Sequence, residues 1–228
     1  MILPTNLTEE QRDYAVFLPA LSTFYVNVTG KTQHSAGSNN PSVLPERIPE
    51  ALDTDGSKLD YLKPDALWTY KWSLHSAGHS SLDIDKDLPR EMMYRERDRN
   101  TSFMLGDSGG FQIGKGKWAG DWKANSGCPA AQKKRDGVLK WMDKYMDYGM
   151  ILDVPAWLSR SPEGAAAAQI SSYQEAADAT AFNNEYFIKH RNGDCKFLNV
   201  FQGENHAQAD LWYDCLLYTS DAADDPTC

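Results

Sequence analysis

The chain has no apolar run approaching the roughly 20 residues that a membrane-crossing helix needs, so no membrane partner is expected. Its first residues, MILPTNLTEEQRDY, carry neither the basic start nor the apolar stretch of a secretory signal, which makes the cytoplasm the expected location. Cysteine is scarce. Cys128, Cys195, Cys215 and Cys228 are the only four and none stands in C-x-x-C spacing, which argues against a zinc knuckle and a disulfide framework alike. Positive charge is in deficit, with 23 Lys and Arg against 32 Asp and Glu and a net charge of -9. That balance excludes a broadly basic, non-specific nucleic-acid binder but leaves room for a local basic lip. No Gly-rich phosphate loop follows an apolar segment, so neither a dinucleotide-binding nor a P-loop reading is supported.

What is present suits one sizeable core: 228 residues, 41% hydrophobic and 24% charged. Three short apolar segments read as strands, Ser102 to Leu105, Gly149 to Asp153 and Phe197 to Gln202, each followed or preceded by a helical pattern. Val138, Leu139, Met142, Tyr145 and Met146 recur at three- and four-residue steps before the second strand. After it, Ser161, Pro162 and Glu163 read as an N-cap and first turn, and one long helix is expected through Tyr173, Ala177, Thr180, Asn184, Phe187 and Ile188. Upstream, Ala15 to Val28 reads as one or two strands, Thr29 to Ser42 as a loop, and Ala66 to Trp72 as a further strand. Strand and helix in alternation predict an α/β protein, and the order favours a barrel over a doubly wound sheet.

The chemistry-bearing string is Gly106, Asp107, Ser108, Gly109, Gly110, Phe111, Gln112, placed just after the first of the three strands. GDSGG alone is shared with trypsin-like serine proteases, where the serine needs a histidine base and a buried aspartate. Phe111 stands where those enzymes have proline, and no Ala-Ala-His-Cys segment lies upstream, so the protease reading is rejected.

DSGGFQ resembles the signature of the tRNA-guanine transglycosylases, which are (β/α)₈ barrels that exchange guanine in a nucleic acid for a 7-deazaguanine. The resemblance extends to Asp153 in ILDVP and to Gln202 and Gly203 in NVFQG, at intervals of 46 and 49 residues. All lie at the C-terminal ends of predicted strands, where barrel enzymes place their active sites. The resemblance implies Asp107 as the general acid/base and Ser108, Phe111, Asp153, Gln202 and Gly203 as the base-binding set. Guanine presents N1–H and an exocyclic amine as donors and O6 as acceptor, which suits a carboxylate beside an amide donor. Lys115, Lys117 and Trp118 in the following GKGKW loop are candidates for contact with nucleic acid. The wording of GFQIGKGKW, ILDVPAW and FLPALSTFY is closer to bacteriophage-type relatives that modify DNA, so the acceptor is DNA or tRNA and the second substrate a free 7-deazaguanine.

In that family a second aspartate, downstream of the Q-G strand, attacks C1′ and holds the sugar covalently, and a Cys and His zinc site lies downstream as well. Neither has a counterpart before Asp214, so an incomplete barrel without metal or cofactor, inactive as it stands, is expected. His75 and His79 are spaced as helical ligands would be, without a third ligand. A barrel that binds bases or nucleic acid without chemistry is the alternative. From Cys215 the chain reads CLLYTSDAAD, which resembles an in-frame translation of a sequencing-library transposase adapter. Residues 1–214 are therefore expected to form the barrel segment, and 215–228 an adapter-derived tail outside the core.

Overall fold

The computed structural model describes residues 15–34, 56–86, 88 and 91–217. They fall into two units, Met1–His75 with Asp85–Leu105, and Ser76–Ile84 with Gly106–Cys228. Four strands make a parallel sheet in the order β1-β2-β3-β4: Trp72–Ser76, Phe103–Asp107, Tyr148–Met150 and Lys196–Leu198. The protein is thus of the α/β class. Among the described residues no helix is long and apolar enough to cross a membrane.

In the first unit, the expected strand over Ala15 to Val28 is corrected. Thr23–His34 is a helix, α1, started by Ser22, whose hydroxyl accepts the Tyr25 N–H at 3.1 Å. The β-branched and aromatic residues TFYVNV favour a strand only weakly, and packing overrides that preference. Val26 and Thr29, one helical turn apart, are both buried, and the Thr29 hydroxyl is satisfied by Val26 O at 2.9 Å. Extended pairing survives only as a bridge of Ala20 to Leu74. The expected loop from Thr29 is helical as far as His34; its remainder lies outside the described residues. The strand expected over Ala66 to Trp72 begins at Trp72, while Trp68 stacks on Tyr61 at 4.5 Å instead. A single turn, α2 (Met92–Arg95), buries Met93 and Tyr94.

The second unit carries the β/α rhythm. After β2 come a short helix α3 (Gly110–Gly114) and α4 (Pro129–Tyr145), which starts on a proline and buries Val138, Leu139, Trp141, Met142 and Tyr145. β3 pairs with β4 in parallel, Tyr148 opposite Lys196 and Met150 opposite Leu198. The long helix expected between them is two helices, α5 (Pro162–Ala168) and α6 (Tyr173–His190). Gln169 breaks the run in the left-handed conformation, φ 55°, and Ser172 restarts it by accepting the Glu175 N–H. The last helix, α7 (His206–Leu217), follows β4. Leu216, one turn beyond the buried Trp212 on the same face, is itself buried. Residues 218–228 lie outside the described residues.

Candidate functional site

β2 ends at Asp107, and the chain turns at once into α3 through Ser108 and Gly109. Gly109 has φ 79°, a left-handed conformation that a side chain would strain. Gly110 meets the segment after β3 so closely that a Cβ there would lie 2.5 Å from both the carbonyl and the Oδ1 of Asp153. The double glycine therefore lets the backbone touch an acid 43 residues later in the chain.

β3 is shorter than expected and the ladder stops near Met150, leaving Ile151 N to donate to Leu198 O at 3.0 Å. Beyond it, side chains of α6 take over the backbone groups of the extended segment. Asn183 donates to Leu152 O at 2.7 Å and Thr180 Oγ1 accepts Val154 N at 2.9 Å, so both neighbours of Asp153 are clamped. Asn183 is in turn held by the buried Arg135, whose Nε donates to its Oδ1 at 2.6 Å. The Arg135 guanidinium lies 4.8 to 5.7 Å from the ring centres of Phe182, Tyr186 and Trp122. Buried polar groups of this kind stabilise one arrangement only when each has its partner.

On that support the Asp153 carboxylate receives Ser108 Oγ on Oδ1 at 3.2 Å and Gln202 Nε2 on Oδ2 at 2.7 Å. The Gln202 amide has a fixed polarity, because Ala156 N donates to its Oε1 at 2.8 Å and so leaves its NH₂ towards the acid. Tyr173 OH reaches Gln202 O at 2.9 Å and Gln208 O at 2.8 Å, and an Arg160–Glu204 ion pair links the turn after Asp153 to the loop after Gln202. Burial, and secondarily the charge of Asp107, push the Asp153 carboxyl up to about 6, against the partial relief of the Ser108 and Gln202 hydrogen bonds.

Asp107, Ser108, Asp153 and Gln202 thus come together from three strand ends, with the exposed Gly203 beside Gln202. Phe111 stands next to Gly110 with 58% of its surface exposed. Lys115 lies over the Phe111 ring at 5.4 Å and Lys117 is exposed. Trp118 does not present a free face: it is buried, with Lys134 Nζ 4.9 Å from its ring centre. Ser108 donates to a carboxylate rather than to an imidazole, unlike the serine of a protease triad. His75 belongs to β1 and is buried, its Nδ1 3.1 Å from Leu21 O, while His79 ends a 3-10 turn, so the two share no helical face. Among the described residues no group of three or more His, Cys, Asp or Glu gathers as a metal site.

Sequence reasoning missed Asn183, Arg135 and Tyr173 as parts of this site. A signal was available for one class of them: polar residues among the inward positions of an otherwise apolar helix, as at Thr180 and Asn184, announce buried hydrogen bonds. Compared with known proteins, the chain matches no family model, no curated protein and no solved structure.

Proposed function

We propose that the second unit is the base-holding part of a guanine transglycosylase of the barrel type, binding guanine or a 7-deazaguanine at Asp153 and Gln202. The observation that carries this reading is the order of groups along one edge: two acceptor oxygens of Asp153, then the NH₂ of Gln202 at 2.7 Å. That array complements the amine, N1–H and O6 of guanine in sequence. Bound base replaces Ser108 and Gln202 as the donor to Asp153, freeing the Gln202 NH₂ and the Gly203 N–H for O6. Adenine reverses the pattern and leaves the buried acid without its donors, a mismatch that costs on the order of 10⁴-fold where a site is built for such bonds.

Phe111 supplies the stacking face. Asp107, at the end of β2 and facing the charge of Asp153, would give a proton to the departing heterocycle and take one from the arriving base, while C1′ passes to and from the aspartate nucleophile that the resemblance puts downstream of the Q-G strand and that the described residues do not supply. The nucleic acid presents its guanine outside the stack, as base chemistry on a polymer requires.

Calorimetric titration of the chain with guanine, 7-deazaguanine, hypoxanthine and adenine tests the reading. Guanine and 7-deazaguanine bind, hypoxanthine binds more weakly for want of the amine, and adenine does not bind. Equal affinity for adenine and guanine, or binding of none, overturns it. Incorporation of labelled guanine into tRNA or DNA separates base exchange from base binding alone.

A further inference from the structure

Trp157 stands four residues after Asp153, on the 3-10 turn Ala156–Arg160. The turn is tied to the base site by the bond from Ala156 N to Gln202 Oε1. The far end of its indole packs against α3 at Gly114, where a Cβ would meet Cη2 and Cζ2 at 2.4 Å. Phe111 is 6.2 Å away, tilted by 56°. Lys115 Nζ lies 5.4 Å from the Phe111 ring centre and 5.7 Å from that of Trp157. Among the described residues Lys115 forms no ion pair. Two aromatic rings and an unneutralised ammonium thus adjoin the site on the side of α3.

The local charge points to what approaches there. Residues 115–134 hold five lysines, Lys115, Lys117, Lys123, Lys133 and Lys134, against one acid, Asp121, in a chain whose net charge is -9; Lys123 is paired with Glu175 at 3.7 Å, while Lys115 and Lys117 are exposed. Such a lip on an acidic protein attracts a polyanion to one place and repels it elsewhere.

We propose that Trp157 and Lys115, beside Phe111, form a shelf for the nucleotide flanking the target guanine. The indole stacks on the neighbouring base and the lysine meets its phosphate. This rests on the guanine reading for the identity of the target, but the shelf has its own chemistry, since every nucleobase has a face to stack and single strands bring phosphate with it. It also accounts for the buried Trp118: the stacking tryptophan of this face is the one after ILDVP, not the one in the lysine loop.

The test is fluorescence anisotropy with labelled single-stranded octamers, DNA and RNA, carrying a central guanine, together with calorimetry of free guanine. Trp157→Ala lowers octamer affinity by about tenfold, within the range for losing one stacked base, and Trp157→Phe restores most of it. Lys115→Gln, an exposed substitution, lowers affinity and flattens the salt dependence by about 0.7 of a logarithmic unit per unit, as loss of one phosphate contact does. Both variants keep the free-guanine affinity of the parent chain. A preference for DNA or RNA in these arms names the polymer. The proposal is overturned if the parent chain binds neither octamer, if Trp157→Ala and Lys115→Gln bind as the parent does, or if Trp157→Ala loses free guanine to the same extent. If the shelf variants behave as expected while Asp153→Asn leaves free-guanine binding unchanged, the shelf stands and the guanine reading fails.

Discussion

At the strand ends of the second unit, Asp153 divides its oxygens between Ser108 and Gln202, and three segments distant in sequence meet within hydrogen-bond reach. At the other ends of β3 and β4, a groove of about 600 Å³ between α4 and α6 is lined by Asp136, Lys140, Asp143, Lys144, Tyr186 and His190, among others. The groove is rich in ionisable groups. Yet these are spent on holding the helices: Lys144 Nζ donates to Ile84 O at 2.8 Å, Tyr186 OH to Asp136, and Asp143 Oδ2 accepts Asn192 N at 2.8 Å. The orphan carboxylate oxygen there, Asp143 Oδ1, is sealed away from solvent. What marks the strand-end cluster is that hydrogen-bond donors from two other strand ends converge on one buried carboxylate.

The sharpest way to break the comparison is to remove charge at each end and titrate guanine. Asp153→Asn loses two charge-assisted bonds and weakens guanine by about 1,000-fold, on the scale of roughly 4 kcal/mol for two such bonds. Lys140→Ala and His190→Ala, in the groove, leave guanine affinity within about twofold by calorimetry. If the groove variants lose guanine and Asp153→Asn does not, the assignment is reversed.

Next comes the support beneath the acid. Asn183→Ala strands Leu152 O and Arg135 Nε in the interior and lowers stability by about 3 kcal/mol in urea unfolding. Asn192→Ala at the exposed groove margin changes it by less than about 0.5 kcal/mol.

A smaller effect follows from titration. The Asp153 carboxyl is raised to about 6, so the folded chain holds more protons than the unfolded one between about pH 4 and 6. This group therefore makes stability fall as pH rises through that window, and its ionisation at neutral pH costs roughly 3 kcal/mol. Asp153→Asn removes the cost and melts higher than the parent at pH 7.5, while guanine affinity of the parent climbs as pH rises through 6 and levels off above it. Thermal melts and titrations from pH 4.5 to 8 check both. In the groove, Tyr186 is pushed up to about 12 by burial and by its bond to Asp136, so it contributes no pH dependence over that range.

The smallest expected effect is on the groove itself: Lys140→Ala and His190→Ala shift stability by less than about 0.5 kcal/mol, in line with substitution of exposed side chains.

Legibility of the fold in sequence followed how local its causes are. β2 with Asp107 and the apolar stripe of α4 were readable because a short apolar run and three-to-four periodicity are properties of short windows. α1 was misread because the same β-branched residues pack in a helix once Val26 and Thr29 have a core to face. The break at Gln169 was invisible because a non-glycine residue adopts the left-handed conformation there. In the site, Asp107, Asp153 and Gln202 were selected by resemblance. Their contact across 46 and 49 residues, and the clamp of Asn183 and Thr180 on either side of Asp153, arise from tertiary packing, which no spacing in the chain encodes.

The hydrogen bond from Ser108 to Asp153 has a consequence for covalent chemistry. The five letters GDSGG invite labelling with fluorophosphonate reagents, which trap serines whose proton a neighbouring base can take. Here the neighbour is a carboxylate, too weak a base to make an alkoxide, and it is shared with an amide. Ser108 should stay unlabelled under conditions that modify a protease to completion, so a sequence-based inventory of reactive serines would count this protein as a false positive.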